Sequence, residues 1–341
     1  MPTFSIEELE EHSINALRRA TATEREADIV GKHLVESDLV GHHSHGVMRI
    51  PQYAGEIERG EIKPGLDLKL VSDKETVAVY DGHFLFGQVS CYDAMRSAMD
   101  RARASGLGAV SLRRSNHSGR LGSYVTMAAN EGMIGVVMHA GAQSAWVAPF
   151  GGMEGRLSTN PLAIGAPSGG EYPILLDMAT CMAPEGKVRD HLNRGKQLPE
   201  GWVMDKDGHP STDPQALYDG GAVLPLGGSA GHKGYVLSFM IQIISASIGG
   251  WTRDVLSVPA RDVGHGTIFM LAIAVDRATT LETFQNSARE IATYVKSAKP
   301  APGFEEVLAP GEWEHKQAER QRRDGIEVPD TVWAEIEAVG R

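Results

Sequence analysis

Apolar positions recur first at helical spacing and then, from about residue 75, in short strand-like runs. Ser5-x-x-Glu8 reads as a capping box, and Ile6, Leu9, Ile14 and Leu17 follow near a 3.6-residue period. Thr21-x-x-Glu24 predicts the start of a second helix carrying Ile29, Val30, Leu34 and Val35. An amphipathic stretch runs to about Glu58, and residues 60–65 form a glycine/proline loop. Residues 76–80 then read as a strand closed by the turn dipeptide Asp81-Gly82. Cys91, Ala94, Met95, Ala98, Met99 and Ala102 return to helical spacing. Strands are predicted at 107–112, 133–138, 174–176 and 267–275, and helices at 124–130 and 281–295. The tail from Trp313 is charged and helical. Strands alternating with helices predict an α/β sheet, at least partly parallel.

Residues 235–248 are the longest apolar stretch, broken by Ser238, Gln242, Ser245 and Ser247. They fall short of the roughly 20 residues a bilayer needs, so a buried helix is expected. Residues 1–19 are rich in glutamate and have no apolar h-region, which argues against a signal peptide. Two cysteines, Cys91 and Cys181, lie far apart, as in a chain from a reducing compartment, so a cytoplasmic location is expected. The net charge of −11 opposes binding to nucleic acid or an anionic membrane. The 39 glycines suggest loops where backbone approaches a ligand.

Those glycines form no dinucleotide fingerprint. Gly106-Leu-Gly108 is the nearest approach, but it lacks a third glycine and opens a strand instead of following one. No phosphate loop occurs either; Gly231-His-Lys233-Gly234 does not fit one. The densest polar cluster is His42, His43, Ser44 and His45. Its readings are a metal site, a catalytic acid/base, or a solvated face. If the segment is helical, His45, Arg49 and Tyr53 fall four apart on one stripe. A proton donor, a planar cation and a phenol so arranged suit an anionic carbonyl substrate. His117 lies in a loop between a strand and a helix, where functional side chains collect. Asp177 closes an apolar strand, where α/β sheets hold ligands, and an N-cap explains it equally well. Lys233 opens the long apolar helix, where a cation opposes the helix dipole unless an anion is near.

Ser37-Asp-Leu-Val-Gly-His-His-Ser44-His45-Gly46-Val-Met-Arg49-Ile-Pro-Gln-Tyr53 resembles the opening signature of the type-2 malate/L-lactate dehydrogenase family. That group includes sulfolactate, ureidoglycolate and cyclic-imine carboxylate oxidoreductases. Ser115-Asn116-His117, Thr159-Asn160-Pro161, Leu176-Asp177-Met178-Ala179, His232-Lys233-Gly234 and Pro310-Gly311-Glu312 extend the resemblance in order to the C-terminus.

The resemblance implies an α/β, non-Rossmann, mixed-sheet dehydrogenase fold. In it, a helical region at 1–70 contributes substrate residues and packs with 300–341. Residues 71–265 form the α/β cofactor-binding core, which a strand and helix at 266–299 complete. It also implies a homodimer that uses NAD or NADP to interconvert small 2-hydroxy and 2-oxo acids, or to reduce cyclic imines. Ser44, His45 and Asp177 would form the proton relay, with His117 a second candidate for its acid/base. Arg49 would hold the substrate carboxylate, and Tyr53 and Thr159 would line that pocket. Asp177, Met178, Ala179, Lys233, Pro310, Gly311 and Glu312 would contact the cofactor, and no metal is implied. Three segments depart from the family pattern: residues 141–146, Ser118-Gly-Arg120-Leu, and residues 227–231. A histidine titrating near its ordinary value of about 6.5 would serve both directions at neutral pH. The rival readings are a metal-dependent hydrolase or lyase built on His42, His43 and His45, and a binding protein without catalysis.

Overall fold

The computed structural model describes residues 1–141, 145–250 and 266–340. The chain opens with strand β1 (Thr3–Phe4) and helix α1 (Ile6–Arg19), capped as expected by Ser5, with Glu8 returning to the Ser5 N–H at 2.9 Å. Helix α2 (Glu24–Leu39) uses a different cap from the expected Thr21/Glu24 pair. Thr23 is its N-cap and Glu26 completes the box, while Thr21 takes up a positive φ of 71° in the turn. The other oxygen of Glu26 accepts from Gly65 N at 2.9 Å and pins the loop beyond α3 (Ile50–Glu58).

Strands β2 (Lys69–Lys74) and β3 (Val77–Asp81) pair antiparallel, and helix α4 (Gly87–Ser105) crosses to β4 (Leu107–Ser115), which is parallel to β3. A parallel neighbour requires such a crossover. Helix α5 (Gly122–Asn130) leads into β5 (Met133–Gly141), β6 (Leu162–Ala166) and β7 (Ile174–Met178). Then come α6 (Glu185–Asn193), the short strands β8 (Val203–Met204) and β9 (Pro210–Ser211), α7 (Gln215–Tyr218), β10 (Ala222–Val223) and α8 (His232–Ile248). Beyond β11 (Gly266–Ala274) lie α9 (Leu281–Lys296), α10 (Glu312–Asp324), β12 (Ile326–Glu327) and α11 (Asp330–Ala338). The main sheet has seven strands in the order β2-β3-β4-β11-β5-β6-β7, so the expected mixed α/β sheet is present.

The chain divides into two compact units, one made of residues 1–137, 163–176 and 270–341 and the other of 138–162 and 177–269. In the first, Leu9, Leu17, Leu34, Ile50, Phe86, Ala318, Ile326 and Ile336 share one core. The C-terminal tail therefore packs with the N-terminal helices, as expected. β12 pairs antiparallel with β1, and Gln321 Nε2 donates to Asp38 O at 2.8 Å.

In the second unit, Val147, Leu157, Val188, Val203, Leu217 and Val223 form the core beside β8, β9 and β10. Helix α8 corrects an expectation. It is apolar nearly all round, yet only one side is buried, through Ser238, Ile241, Ser245 and Ala246. Val236, Phe239, Met240 and Ile243 stay 42–55% exposed. Of the serines that seemed to interrupt the helix, Ser238 and Ser245 are buried on its inner side, while Ser247 is exposed. Ser238 Oγ accepts from Asn160 Nδ2 at 3.1 Å, and Ser245 Oγ donates to Met138 O at 3.2 Å.

Candidate active site

The histidine segment does not continue a helix. His43–His45 and Val47–Arg49 are separate 3₁₀ turns broken at Gly46, where ψ is −158°, and α3 begins only at Ile50. The single helical stripe expected of His45, Arg49 and Tyr53 is therefore absent, and the turns bring the side chains together another way. Asp38, buried at the end of α2, accepts from Val47 N at 2.7 Å and pairs with His43 Nδ1 at 2.9 Å. Burial raises the Asp38 carboxyl above its ordinary value, and the hydrogen bonds from His43 and Val47 oppose the rise. A Cβ at Gly46 would come within 2.1 Å of this carboxylate, so glycine is required for the clamp to close.

From this base, Ser44 Oγ meets His45 Nδ1 at 3.0 Å, and Arg49 Nε donates to Ser44 O at 2.7 Å. Arg49 Nη1 also donates to Gln52 Oε1 at 2.6 Å. Burial, then the Arg49 cation, pushes the His45 imidazole down to about 3. The expected titration near neutrality is thereby corrected: His45 is a neutral imidazole at pH 7. The three neighbouring imidazoles have three different partners, His42 facing Glu314 at 3.5 Å, His43 facing Asp38 and His45 facing Ser44. Among the described residues, no group of three or more His, Cys, Asp or Glu side chains could hold a metal ion.

His117 arrives from the loop after β4, and its ring stacks on His45 with centroids 5.6 Å apart and planes 19° apart. The loop is fixed by Asn116 Nδ2, which reaches the carbonyls of Glu61, Phe84 and Leu85 at 3.0, 2.9 and 3.0 Å. Buried Asp81 anchors the base of the same loop by pairing with Arg113 and Arg114. Tyr53 is 1% exposed, and its hydroxyl lies 2.7 Å from His117 Nδ1 and 2.7 Å from Gln88 Nε2. Beyond His117, Gly119 adopts φ +67°, and a Cβ there would come within 2.2 Å of His33 Nε2. That approach lets Arg120 N donate to His33 Nε2 at 3.0 Å, while Arg120 Nη2 pairs with Glu36 at 2.8 Å. The departure at Ser118-Gly-Arg120 is thus a built structural network. Asp38, Gln88, His33 and Arg120 are site-supporting residues to which the sequence reading gave no role.

Thr159, Asp177, Met178, Ala179 and Lys233 belong to the second unit. Thr159 O accepts from both the N–H and the hydroxyl of Thr180, at 2.9 and 3.0 Å. Asp177 and Met178 end β7, and Asp177, Met178 and Ala179 are partly exposed. Lys233, in the first turn of α8, is exposed and makes no ion pair among the described residues. A cation at a helix N-terminus with no ion-pair partner among the described residues suits an anionic group, so this part of the donor set fits a cofactor phosphate. Pro310, Gly311 and Glu312 lie in the first unit, where Glu312 accepts from Lys296 Nζ at 2.6 Å and Ala309 N at 3.0 Å. Against the cost of burial, those bonds hold Glu312 down to about 2. Of the departing segment at 141–146, residues 142–144 lie outside the described residues, as does 251–265 of the expected cofactor core.

A parallel imidazole pair joined through a serine to an arginine, in an α/β chain with no glycine-rich dinucleotide turn, suits an enzyme that handles protons on small acids. The family model for malate/L-lactate dehydrogenase matches residues 4–337, and the chain belongs to that family. It is 36% identical to the malate dehydrogenase of Pyrococcus abyssi, over 98% of this chain and 93% of that protein. It is 33% identical to ureidoglycolate dehydrogenase (NAD(+)) of Escherichia coli K12, over 94% of this chain and 90% of the relative. The crystal structure of malate dehydrogenase from Entamoeba histolytica superposes with a TM-score of 0.93 at 29% identity, covering 99% of this chain and 97% of the other. The protein is an oxidoreductase, a hydroxy-acid dehydrogenase or reductase, and the hydrolase reading is disfavoured. Among the described residues, no helix is long and apolar enough to cross a membrane.

Proposed function

We propose that the protein transfers hydride reversibly between NAD or NADP and a small 2-hydroxy acid/2-oxo acid pair, or reduces a cyclic imine carboxylate. Histidine acts as the acid/base. The observation that carries this reading is the stacked His45–His117 pair linked through Ser44 to Arg49. Arg49 has committed Nε to Ser44 and one Nη1 hydrogen to Gln52. Its remaining Nη1 and Nη2 hydrogens present an end-on pair that would grip a carboxylate through two parallel bonds.

In the oxidation direction, neutral His45 is already in the basic form and would accept the hydroxyl proton, while Ser44 holds its Nδ1. In reduction, a substrate carboxylate on Arg49 offsets the cation that helps depress His45, making its protonated form easier to reach. Asp177 would belong to the same relay, and Thr159 would line the substrate pocket. Tyr53 would serve that pocket from behind, through His117. Asp177, Met178, Ala179, Lys233, Pro310, Gly311 and Glu312 would hold the cofactor. When bound, the nicotinamide ring supplies or accepts the hydride. The NAD(+) in the name of the ureidoglycolate relative supports NAD as a cofactor.

A homodimer is part of this reading. Val236, Phe239, Met240 and Ile243 leave a side of α8 42–55% exposed, and covering what remains would stabilise by about half of the roughly 1.5–3 kcal/mol that full burial of each side chain is worth. Sedimentation equilibrium reads the subunit number directly, and a monomer at micromolar concentration sinks the dimer. For the activity, a panel of 2-oxo acids and cyclic imine carboxylates is assayed with NADH and with NADPH. Turnover of at least one anionic substrate, abolished in Arg49→Ala, is expected; no turnover across the panel refutes the reading.

A further inference from the structure

Two imidazoles stack on each other in the candidate site, and a single acid/base needs only one. The hydrogen bonds behind His117 separate their roles. Gln88, in the first turn of α4, is 1% exposed, and its Nε2 lies 2.7 Å from the Tyr53 hydroxyl. The same hydroxyl lies 2.7 Å from His117 Nδ1. A phenol has one proton. If its oxygen accepted from both Gln88 and His117, that buried proton would have no acceptor among its hydrogen-bond partners, so accepting from Gln88 favours donation to His117. The reverse chain needs the Gln88 amide turned over. Gln88 Oε1, buried and without a partner as placed, would then be replaced at that spot by an NH₂ group with no acceptor. Buried orphan N–H groups are rarer and costlier than under-used carbonyl oxygens, so the placed orientation wins. Burial also raises the Tyr53 phenol well above its ordinary value, which keeps the donated proton on oxygen.

We propose that Gln88 and Tyr53 are positioning residues that fix His117 as the neutral tautomer protonated on Nε2. The hydrogen bond at one ring nitrogen decides which nitrogen carries the proton. His117 then offers a hydrogen-bond donor, suited to polarising a carbonyl or imine, and His45 is left as the proton acceptor. This division of labour rests on the function proposed above; the tautomer itself does not.

Nitrogen-15 NMR on histidine-labelled full-length protein, with the resonance assigned through His117→Gln, reads the tautomer without any substrate. The expected spectrum has His117 Nδ1 at the unprotonated position and Nε2 at the protonated position. A protonated Nδ1 in the wild-type protein overturns the proposal. In Gln88→Leu and Tyr53→Phe the constraint is lost, and the Nδ1 resonance should shift toward the average of two exchanging tautomers. Unchanged, fully Nε2-protonated spectra in both variants overturn the part played by these residues. Because activity is not read, failure here leaves the proposed reaction standing, and failure of the substrate panel leaves the tautomer standing.

Discussion

The two units solve opposite problems. In the first, polar groups around His45 and His117 are paired before any ligand arrives: Asp38 with Val47, Ser44 with His45, Tyr53 with His117 and Asn116 with three carbonyls. In the second, Lys233 stands exposed without an ion pair among the described residues, and one side of α8 is apolar and uncovered. The contrast teaches which side of the chemistry tolerates looseness. Proton transfer and carboxylate grip depend on geometry within a fraction of an ångström, so on the proposed function the side chains that would perform them are expected to be locked. On the same function, the cofactor phosphate could be held by a flexible point charge, so Lys233 would not need to be locked.

The largest expected effect breaks that contrast on the locked side. Lysine at position 49 carries the charge but has no fork, and it cannot bond Ser44 O and Gln52 while still offering two parallel N–H groups. Arg49→Lys should lower kcat/KM by about 10²–10³-fold, the usual result of losing a hydrogen-bonded charge pair in a desolvated site. Steady-state kinetics on the best panel substrate checks this. A loss under threefold means that the geometry of the fork does not matter.

A second test uses acid. Burial pushes the His33 imidazole down to about 4, with the Arg120 cation adding to the effect and Glu36 opposing it. The unfolded chain binds a proton at His33 below about 6.5, whereas the folded chain resists it until about 4. The stabilisation is therefore fully present above pH 6.5 and is lost as pH falls through that window. The integrated effect is about 3 kcal/mol for this one group. His45, depressed by the same burial, extends the slope lower still. Urea midpoints of the wild type should fall steeply between pH 6.5 and 4. Those of His33→Gln, which keeps an acceptor for Arg120 N, should fall less. Equal slopes would show that the locked region is not the acid-labile one.

Much of this was legible in the sequence, and the gaps have physical causes. The Ser5 cap and the α4 spacing follow from local patterns that tertiary contacts reinforce. The packing of the tail with the N-terminal helices is an expectation of the family resemblance alone. The His45/Arg49/Tyr53 stripe failed because helical periodicity takes no account of Gly46. Its need to approach Asp38 breaks the segment into two 3₁₀ turns. The buried-helix reading of 235–248 failed for a different reason. Composition records how apolar a helix is but not how much of it this chain alone covers. Gln88 and His33 were invisible because each acts on a partner distant in sequence, Gln88 through Tyr53 on His117 and His33 on Arg120. No short motif records such pairings.

The smallest effect probes the loose side. Lys233 is exposed, so any cofactor phosphate it meets is partly hydrated and the pairing is screened by salt. Lys233→Ala should weaken cofactor binding by about 1 kcal/mol, roughly fivefold, with kcat nearly unchanged. Removing a cation from the first turn of α8 also relieves its clash with the helix dipole, so the folded state should gain a few tenths of a kcal/mol. The two effects have opposite signs, and a general disruption of α8 cannot produce both. Nicotinamide fluorescence titration at two ionic strengths, beside thermal melts, separates them. The wild type should lose affinity as salt rises while the variant changes less. Equal salt dependence in the two proteins would place the phosphate away from Lys233, and the point-charge account of the loose side would fail.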